Sequence, residues 1–318
     1  MNSGQMWPGT GGLAWVNWKS ILRYPPPRKI RRLLLRLILV IAITPFVLQI
    51  LLAYVVGSDF RLLPAELQQA KNLLIVTAHP DDECLFFAPS ILGVLDRNPD
   101  TVGSLLVMST GNDQGLGETR KAELQGSCAA LGVRETRCVA LDRLEIQDNP
   151  GVWWDESLIE SIVKEYVQKW HVDVIITFDE GGVSGHVNHR AVSAAIRNYA
   201  STDAHAPATY MLSTTMLIRK YTFLLDLPLT SKPFCWRILQ ALLSRGWWGG
   251  RTGDPRLHEG DGDRDRAVLV ANTWGRYWTS RQAFAKHTTQ YSWDRNLYMI
   301  LSRYVWFNNL RRVRKQTT

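Results

Sequence analysis

This sequence lacks several signatures that would assign it to common classes of protein. Its four cysteines, Cys84, Cys128, Cys138 and Cys235, form no CxxC pair and have no zinc-finger spacing. Their apolar neighbours predict buried thiols in a reducing compartment rather than a disulfide framework. No GxGxxG follows the first predicted strand, which disfavours dinucleotide binding. The body of the chain contains no N-x-S/T acceptor, so no glycan site marks a lumenal surface.

Acidic residues are missing from both ends of the chain. Residues 1–36 carry seven Lys and Arg, and residues 303–318 carry five, with no Asp or Glu in either stretch. Because the formal charge of the whole chain is +8, the part between these ends is net acidic. Basic ends on such a body are atypical of a nucleic-acid-binding protein, and we predict no nucleic-acid partner. They fit ends that contact anionic lipid.

An apolar run extends from Leu33 to Val56 and contains a single charge, Arg36. At about 1.5 Å per residue it would form a helix of about 36 Å, which is long enough to cross the hydrocarbon core of a membrane. A cleaved signal peptide usually has a shorter apolar core and a small-residue cleavage site, and a buried core helix has a polar face. We therefore predict a single-pass transmembrane anchor at 33–56. It follows a basic arm (1–32) and precedes a linker (57–71).

The remaining residues, 72–318, alternate between two kinds of pattern. Continuously apolar stretches predict parallel strands buried on both faces at 72–78, 104–110, 137–141 and 173–178. Helical stretches are predicted between or after them at 118–131, 155–170 and 188–200. This alternation predicts an α/β fold with a Rossmann-like, doubly wound, mostly parallel sheet.

Two later segments do not follow this alternation. Residues 244–266 are rich in Gly, Asp and Arg and predict a surface insertion. Residues 291–315 are predicted to be helical, with aromatic residues followed by a basic cluster. Such a helix either lies against a membrane surface or packs on the core and ends in a solvated tail.

Polar clusters follow three of the predicted strands. They read HPDDE (79–83), GNDQGLGETRKAEL (111–124) and DEGGVSGHVNH (179–189). Ligands of open α/β sheets bind outside the carboxyl ends of the strands, so these clusters are expected to converge on one cleft.

The adjacent carboxylates of HPDDE need a positive partner, and a divalent metal such as zinc would supply it. A catalytic zinc takes three protein ligands and keeps one open position. His79, Asp82 and one histidine of the pair His186 and His189 satisfy that count. Asp81 is then beside the metal but not on it, where a general base for a water molecule would stand. The remaining histidine would stabilise an oxyanion or protonate a leaving amine.

Three neighbouring residues have two interpretations each on spacing alone. Glu83 either supports the ligands from behind or acts as an anionic partner of a helix N-terminus. Arg120 and Glu123 either form an exposed i, i+3 ion pair, or Arg120 binds a phosphate from its position after a Gly-rich loop.

The stretches AHPDDE, STGNDQGLGETRKAEL, GGVSGHVNH and AFAKHTTQYSWDRNLYMILSRYVWFNNL together resemble the LmbE-like zinc deacetylases. Within that family the resemblance is strongest to the eukaryotic N-acetylglucosaminylphosphatidylinositol de-N-acetylases of glycosylphosphatidylinositol (GPI) anchor synthesis. It covers roughly residues 72–200 and 281–310. The insertion at 244–266 departs from the shorter members.

The resemblance implies specific roles for the site residues. It implies a zinc held by His79, Asp82 and His189. It makes Asp81 the base and His186 the residue that stabilises the tetrahedral intermediate. It also places Arg120 near the substrate.

The resemblance further implies the reaction and its setting. The expected reaction is hydrolysis of the acetamide of N-acetylglucosaminyl-phosphatidylinositol, so the partners are this lipid and the bilayer. The sequence does not identify protein partners. Two alternatives stay open: a zinc deacetylase of another N-acetylglucosaminide, and a membrane-anchored, non-catalytic binding protein on the same fold. The complete ligand set and the spare Asp81 argue against the second.

Two sequence arguments disagree about the orientation in the membrane. The resemblance implies an endoplasmic reticulum enzyme whose catalytic domain faces the cytosol. The basic arm before Leu33 outweighs the flank after Val56, so the positive-inside rule would place a domain after one crossing in the lumen. A hairpin broken at Pro45 would reconcile the two but leaves backbone groups unpaired in hydrocarbon. On the cysteine pattern, the basic tail and the missing glycan acceptor, we predict a cytosolic domain.

Overall fold

The structure is a computed structural model that describes residues 27–246 and 267–316. Most of the predicted basic arm and most of the predicted insertion lie outside the described residues. The chain divides into two compact units, residues 1–43 and residues 44–318.

A sheet of seven strands forms the centre of the second unit, among the residues described there. Its strands are β1 (Asn72–Thr77), β2 (Val102–Val107), β3 (Cys138–Ala140), β4 (Val174–Phe178), β5 (Ala208–Leu212), β6 (Ala267–Ala271) and β7 (Phe307–Arg312). Their order across the sheet is β3-β2-β1-β4-β5-β7-β6. Strands β1 to β5 are parallel, and β7 is antiparallel to both β5 and β6. The predicted α/β fold with a mostly parallel sheet is confirmed, and each of the four predicted strands is present.

The C-terminal stretch was predicted to be helical throughout, and this is wrong for residues 307–312. They form β7, which fills the gap between β5 and β6. The buried Asn308 side chain explains how a polar segment holds this position. Its Oδ1 accepts hydrogen bonds from Ser90 N (3.1 Å) and Ser90 Oγ (2.6 Å), and its Nδ2 donates to Phe86 O (2.9 Å). Tertiary pairing therefore overrides the helical pattern here.

Thirteen α-helices lie within the described residues. In chain order they are α1 (Arg28–Ile50), α2 (Ala65–Gln68), α3 (Ala88–Leu95), α4 (Gly117–Leu131), α5 (Glu156–Trp170), α6 (Gly182–Gly185), α7 (Val187–Thr202), α8 (Leu217–Lys220), α9 (Leu227–Ser231), α10 (Cys235–Gly246), α11 (Trp274–Phe284), α12 (Trp293–Leu301) and α13 (Arg303–Trp306). Helix α4 packs against α11, and α5 packs against α7. A π-helical segment, Glu83–Phe87, comes after the turn that follows β1.

Helix α1 contains most of the predicted membrane anchor. It continues into a π-helical turn, Leu51–Val55, and in the described part of the chain it is the one helix long and apolar enough to cross a membrane. It passes through Pro45 without a break, so the hairpin alternative is wrong. Its last turns belong to the unit that holds the sheet. There the Phe46 ring lies 5.9 Å from that of Phe223, and Gln49 Nε2 donates to Asn272 O.

The cysteines correct one prediction. Cys128 of α4 and Cys138 of β3 form a disulfide, although all four cysteines were predicted to be thiols. The bond joins the last turns of α4 to the adjacent strand, so these two residues meet through packing and not through a recognisable spacing. The other two cysteines are free, with Cys84 buried and Cys235 exposed.

Candidate active site

The turn that follows β1 is built around the carboxylate of Asp82. Its Oδ2 accepts hydrogen bonds from the backbone N–H groups of Ala78 (3.1 Å) and His79 (2.8 Å). Its Oδ1 faces the cleft and lies 3.3 Å from His189 Nε2. Burial alone would raise the pKa of Asp82, but the neighbouring His189 and His79 hold it well below its usual range. This carboxylate is therefore an anion that points at two imidazoles.

His79 is oriented by two acceptor oxygens on its far side. Its Nε2 lies 3.1 Å from Asp148 Oδ1 and 3.3 Å from Asn188 Oδ1. Since both oxygens accept, Nε2 carries a hydrogen, and Nδ1 is left free on the side of Asp82. Burial lowers the pKa of His79, but the hydrogen bond to Asp148 and the nearby carboxylates outweigh it, so the pKa is raised.

His189 lies in the first turn of α7 and is anchored in the complementary way. Its Nδ1 is 2.9 Å from the Gly182 carbonyl oxygen, so Nδ1 donates and Nε2 faces Asp82 with a free lone pair. The ring stacks on Phe178 with centroids 4.2 Å apart. Gly182 has φ +58°, and a Cβ there would stand 2.8 Å from the Cβ of His189, so glycine permits this close approach.

His186 caps the N-terminus of α7. Its Nδ1 accepts a hydrogen bond from Asn188 N at 3.3 Å. That leaves Nε2 to carry the hydrogen, so a neutral His186 is a donor toward the cleft. Burial, with His189 and His79 nearby, lowers its pKa and keeps it neutral. The tautomers thus distinguish His186 from His189, a distinction that residue spacing alone left open.

The predicted ligands come together in one place. The rings of His79, His186 and His189 have centroids 4.9 to 5.4 Å apart, and one ligand atom of each lies within 4.8 Å of the others. Asp82 adds a carboxylate to this group. Imidazole nitrogens and a buried carboxylate with one open side are a donor set that suits zinc. The residues therefore fit a divalent metal.

Asp81 lies beside this group and has a different environment. Its backbone has φ +116°, which is unusual for a non-glycine residue. Its carboxylate points to Arg295 Nη1 (2.9 Å) and Arg120 Nη2 (3.9 Å). Burial and the charge of Asp82 raise its pKa, and the two arginines offset only part of this effect. A carboxyl group with a raised pKa is suited to accept and return a proton near neutral pH.

Glu83 supports the strained backbone of Asp81. It is completely buried, and its Oε2 accepts from Asp81 N at 3.0 Å. Its Oε1 lies 2.6 Å from His287 Nε2 and accepts from Ser127 Oγ at 2.6 Å. Burial would raise the pKa of Glu83, but His287 lowers it, and the same pairing raises the pKa of His287. Of its two interpretations, support from behind the site matches these contacts.

Arg120 and Glu123 do not form the exposed i, i+3 ion pair, because both are buried and each has other partners. The interpretation of Arg120 as a phosphate ligand stays a prediction. Arg120 lines the cavity, but its terminal nitrogens donate to Pro80 O (2.7 Å) and Gly111 O (3.0 Å). Glu123 instead accepts from the backbone and hydroxyl of Thr289, at 2.8 and 2.7 Å. Through these hydrogen bonds, Arg120 holds the segments at Pro80 and Gly111, and Glu123 holds the segment at Thr289.

Four residues at the site were not singled out from the sequence: Asp148, Lys220, His287 and Arg295. Asp148 lies in the loop after β3, too far from the strand end for the strand-end argument to single it out. The other three come from segments after β5 that carry no strand-end signal. Their approach to the site is a tertiary feature.

A cavity of about 560 Å³ opens onto the site. Its polar lining includes the three histidines and both aspartates, and its apolar lining includes Leu85, Phe86, Tyr221, Leu297, Tyr298 and Leu301. The cavity lining therefore combines polar and apolar side chains. This suits a ligand that has a polar head and an apolar remainder.

Comparisons with known proteins agree with this geometry. The profile of the family described as PIG-L, GlcNAc-PI de-N-acetylase, matches residues 74–200. The N-acetylglucosaminyl-phosphatidylinositol de-N-acetylase of Bos taurus is 34% identical over 240 residues, covering 74% of this chain and 81% of that protein. The enzyme of that name from Saccharomyces cerevisiae is 32% identical over 246 residues, covering 74% and 79%.

A solved structure supports the fold. The pseudoaglycone deacetylase of an antimicrobial reagent superposes with a TM-score of 0.50 at 12% identity, covering 78% of this chain and 99% of that one. Because the bovine and yeast relatives are more than 30% identical over most of their length, this chain belongs to the PIG-L (LmbE-like) family of de-N-acetylases.

Proposed function

We propose that this protein hydrolyses the acetamide of N-acetylglucosaminyl-phosphatidylinositol to glucosaminyl-phosphatidylinositol and acetate, an early step of GPI-anchor synthesis. The observation that carries the proposal is the buried group of His79, His189 and Asp82 with Asp81 beside it. This group is found in a chain whose relatives bear that enzyme's name. The apolar part of the cavity lining agrees with a lipid substrate.

Zinc is the proposed cofactor, held by His79, Asp82 and His189. The free Nδ1 of His79, the free Nε2 of His189 and the cleft-facing Oδ1 of Asp82 are the three donor atoms that the hydrogen bonds leave available. When bound there, zinc would polarise the acetamide carbonyl and acidify a water molecule.

Asp81 and His186 are the proposed catalytic residues. Asp81 accepts a proton from the attacking water and delivers it to the departing sugar amine, so that no net proton is left on the enzyme. His186 donates its Nε2–H to the oxyanion that forms from the carbonyl oxygen. Arg120 keeps its proposed place on the substrate side, where it fixes the Pro80 and Gly111 carbonyls and faces Asp81.

The setting is proposed to be the endoplasmic reticulum membrane, with a single-pass anchor at 33–56 and a catalytic domain at 72–318 that faces the cytosol. Large apolar side chains on α8 and α12 beside the cavity support contact with a bilayer. We call them the apolar rim: Met216, Leu217, Ile218, Trp293, Leu297, Ile300 and Leu301, all exposed. Leu297 and Leu301 also line the cavity, so the rim adjoins it.

A membrane assay tests the proposed function. The full chain in microsomes is given N-acetylglucosaminyl-phosphatidylinositol, and release of acetate is measured before chelation, after chelation and after zinc is restored. We expect activity to be lost with chelator and to return with zinc. Turnover that is unaffected by complete metal removal would refute the zinc assignment. Stoichiometric zinc without turnover of this lipid would refute the proposed reaction.

A further inference from the structure

Lys220 is a buried cation without an anionic partner. It ends α8, only 6% of its surface is exposed, and it lines the cavity. Its Nζ lies over three aromatic rings, at 5.5 Å from the centroid of Phe86, 5.7 Å from Tyr221 and 5.4 Å from Tyr298. Within residues 27–246 and 267–316, no ion pair or hydrogen bond to a carboxylate involves this ammonium group.

Burial of this ammonium group costs free energy unless an anion pairs with it. An ammonium taken out of water loses its hydration, and cation–π contacts recover only part of that loss. Burial, together with the nearby charge of Arg295, lowers the pKa of Lys220 to about 8, and the charge of Asp82 offsets only part of this effect. An anion entering the cavity would relieve both effects, since it pairs with the ammonium and separates it from the arginine.

Arg295 supplies a second cation on the same wall. Its Nη1 lies 2.9 Å from Asp81 Oδ2, and its side chain is 38% exposed, so the guanidinium has free donors facing solvent. Phe86 connects this wall to the metal ligands, because its ring lies 5.5 Å from Lys220 Nζ and 5.9 Å from the ring of His189. The two cations therefore stand next to the place where the acetamide would react.

We propose that Lys220, assisted by Arg295, forms an anion subsite that binds the phosphodiester of the substrate. The assignment to the substrate rests on the proposed function. In that lipid the anomeric carbon of the sugar is linked to inositol, and the adjacent inositol carbon carries the phosphodiester. A phosphate-binding cation is then expected about one ring away from the acetamide site, and Lys220 lies on the cavity wall that adjoins the proposed metal ligands. The subsite would select phosphate-bearing N-acetylglucosaminyl lipids over neutral ones.

The test compares two substrates on the same preparation. Full-length wild type, Lys220→Met and the matched control Lys232→Met, whose lysine is exposed on the same stretch of chain, are assayed in detergent micelles. The substrates are N-acetylglucosaminyl-phosphatidylinositol and a phosphate-free alkyl N-acetylglucosaminide. The ratio of their kcat/KM values should fall roughly 10–100-fold in Lys220→Met, chiefly through KM, and stay unchanged in Lys232→Met. Because partial misfolding affects both substrates equally, it cancels in the ratio.

A binding measurement separates this subsite from the proposed reaction. Dimethyl phosphate, a monoanionic diester, should raise the thermal midpoint of wild type relative to chloride at equal ionic strength, and should not do so for Lys220→Met. An unchanged substrate ratio, equal loss on both substrates, or equal stabilisation of both proteins would overturn the subsite. If wild type binds dimethyl phosphate through Lys220 but does not cleave the lipid, the subsite stands and the proposed function fails.

Discussion

At the scale of single residues, the neighbouring acids Asp81 and Asp82 are made different by what surrounds them. Asp82 faces two imidazoles and two backbone N–H groups, so its pKa is lowered. Asp81 is turned by its positive φ toward two arginines, and its pKa is raised by burial and by Asp82. Two acids whose environments move their pKa values apart are suited to different roles. These surroundings support the proposed roles of Asp82 as a metal ligand and Asp81 as a proton carrier.

The first prediction separates these roles. Asp81→Asn should retain bound zinc and lose about 10²–10⁴-fold in kcat, because the amide cannot accept the proton. Asp82→Asn should lose both zinc and activity. Metal content by mass spectrometry, measured beside turnover, checks both variants. Loss of zinc from Asp81→Asn with zinc retained in Asp82→Asn would show that the two roles are exchanged.

The second prediction concerns the histidine pair. The tautomers leave a free Nε2 on His189 and a hydrogen on Nε2 of His186. His189→Ala should therefore lower zinc content, whereas His186→Ala should retain zinc and lower kcat by about 10²–10³-fold through loss of an oxyanion donor. Equal zinc content in both variants, or loss of zinc from His186→Ala alone, would contradict the assignment. Circular dichroism of both variants provides the folding control.

The sequence predicts one part of the site better than the other. His79, Asp82 and His189 follow strands that are apolar throughout, and parallel strands end at one edge of the sheet, so their convergence follows from topology. Lys220, His287 and Arg295 come from segments after β5, and no pattern along the chain relates them to β1. Their positions depend on how α8, α12 and the turn after α11 pack, which residue spacing does not encode.

At the scale of elements, burial explains why three of the predicted strands are easy to recognise, although β5 and β6 are just as buried and were not predicted. Strands β1, β2 and β4 are buried along nearly their whole length, so their sequences are continuously apolar. Strand β7 begins buried and ends exposed at Arg311 and Arg312, and it carries two asparagines. Its order comes from pairing with β5 and β6 and from the buried bonds of Asn308. The local sequence pattern of β7 does not reveal these tertiary contacts.

The third prediction concerns the apolar rim on α8 and α12. If it enters the bilayer, a fluorophore on Ile218→Cys or Leu297→Cys should be quenched by spin-labelled lipid, because each large apolar side chain gains about 1.5–3 kcal/mol on leaving water. The full chain in liposomes is used with Cys235→Ser, which removes the exposed thiol. Gln168→Cys on the exposed face of α5 is the control. Equal quenching at all three positions, or quenching at none, would refute contact between the rim and the membrane.

At the scale of the whole molecule, the apolar helix α1 and the cavity each suit an enzyme that acts on a membrane lipid. A substrate with two acyl chains stays in the membrane, so its enzyme must work at the bilayer surface. The last turns of α1 pack on the domain through Phe46 and Gln49, and the apolar rim adjoins the cavity mouth.

Orientation across the membrane is where the structural and sequence arguments meet. The basic arm favours a lumenal domain, and α1 runs unbroken through Pro45, so a hairpin does not remove the conflict. The Cys128–Cys138 disulfide also withdraws the support that the cysteine pattern gave to a cytosolic domain, since disulfides persist in oxidising compartments. The basic tail and the absence of glycan acceptors still favour the cytosol, where anionic lipids are enriched.

The last prediction is a cytosolic catalytic domain, and two independent measurements check it. Protease added to sealed microsomes should digest a C-terminal tag. The structure joins Cys128 and Cys138 in a disulfide. A reducing cytosol should keep this bond open in the cell, so alkylation during denaturing lysis should modify both cysteines. A tag that is protected until detergent is added, together with cysteines that resist alkylation until reduced, would place the domain in the lumen. Both readouts would then agree with the charge rule, and the cytosolic assignment would be wrong.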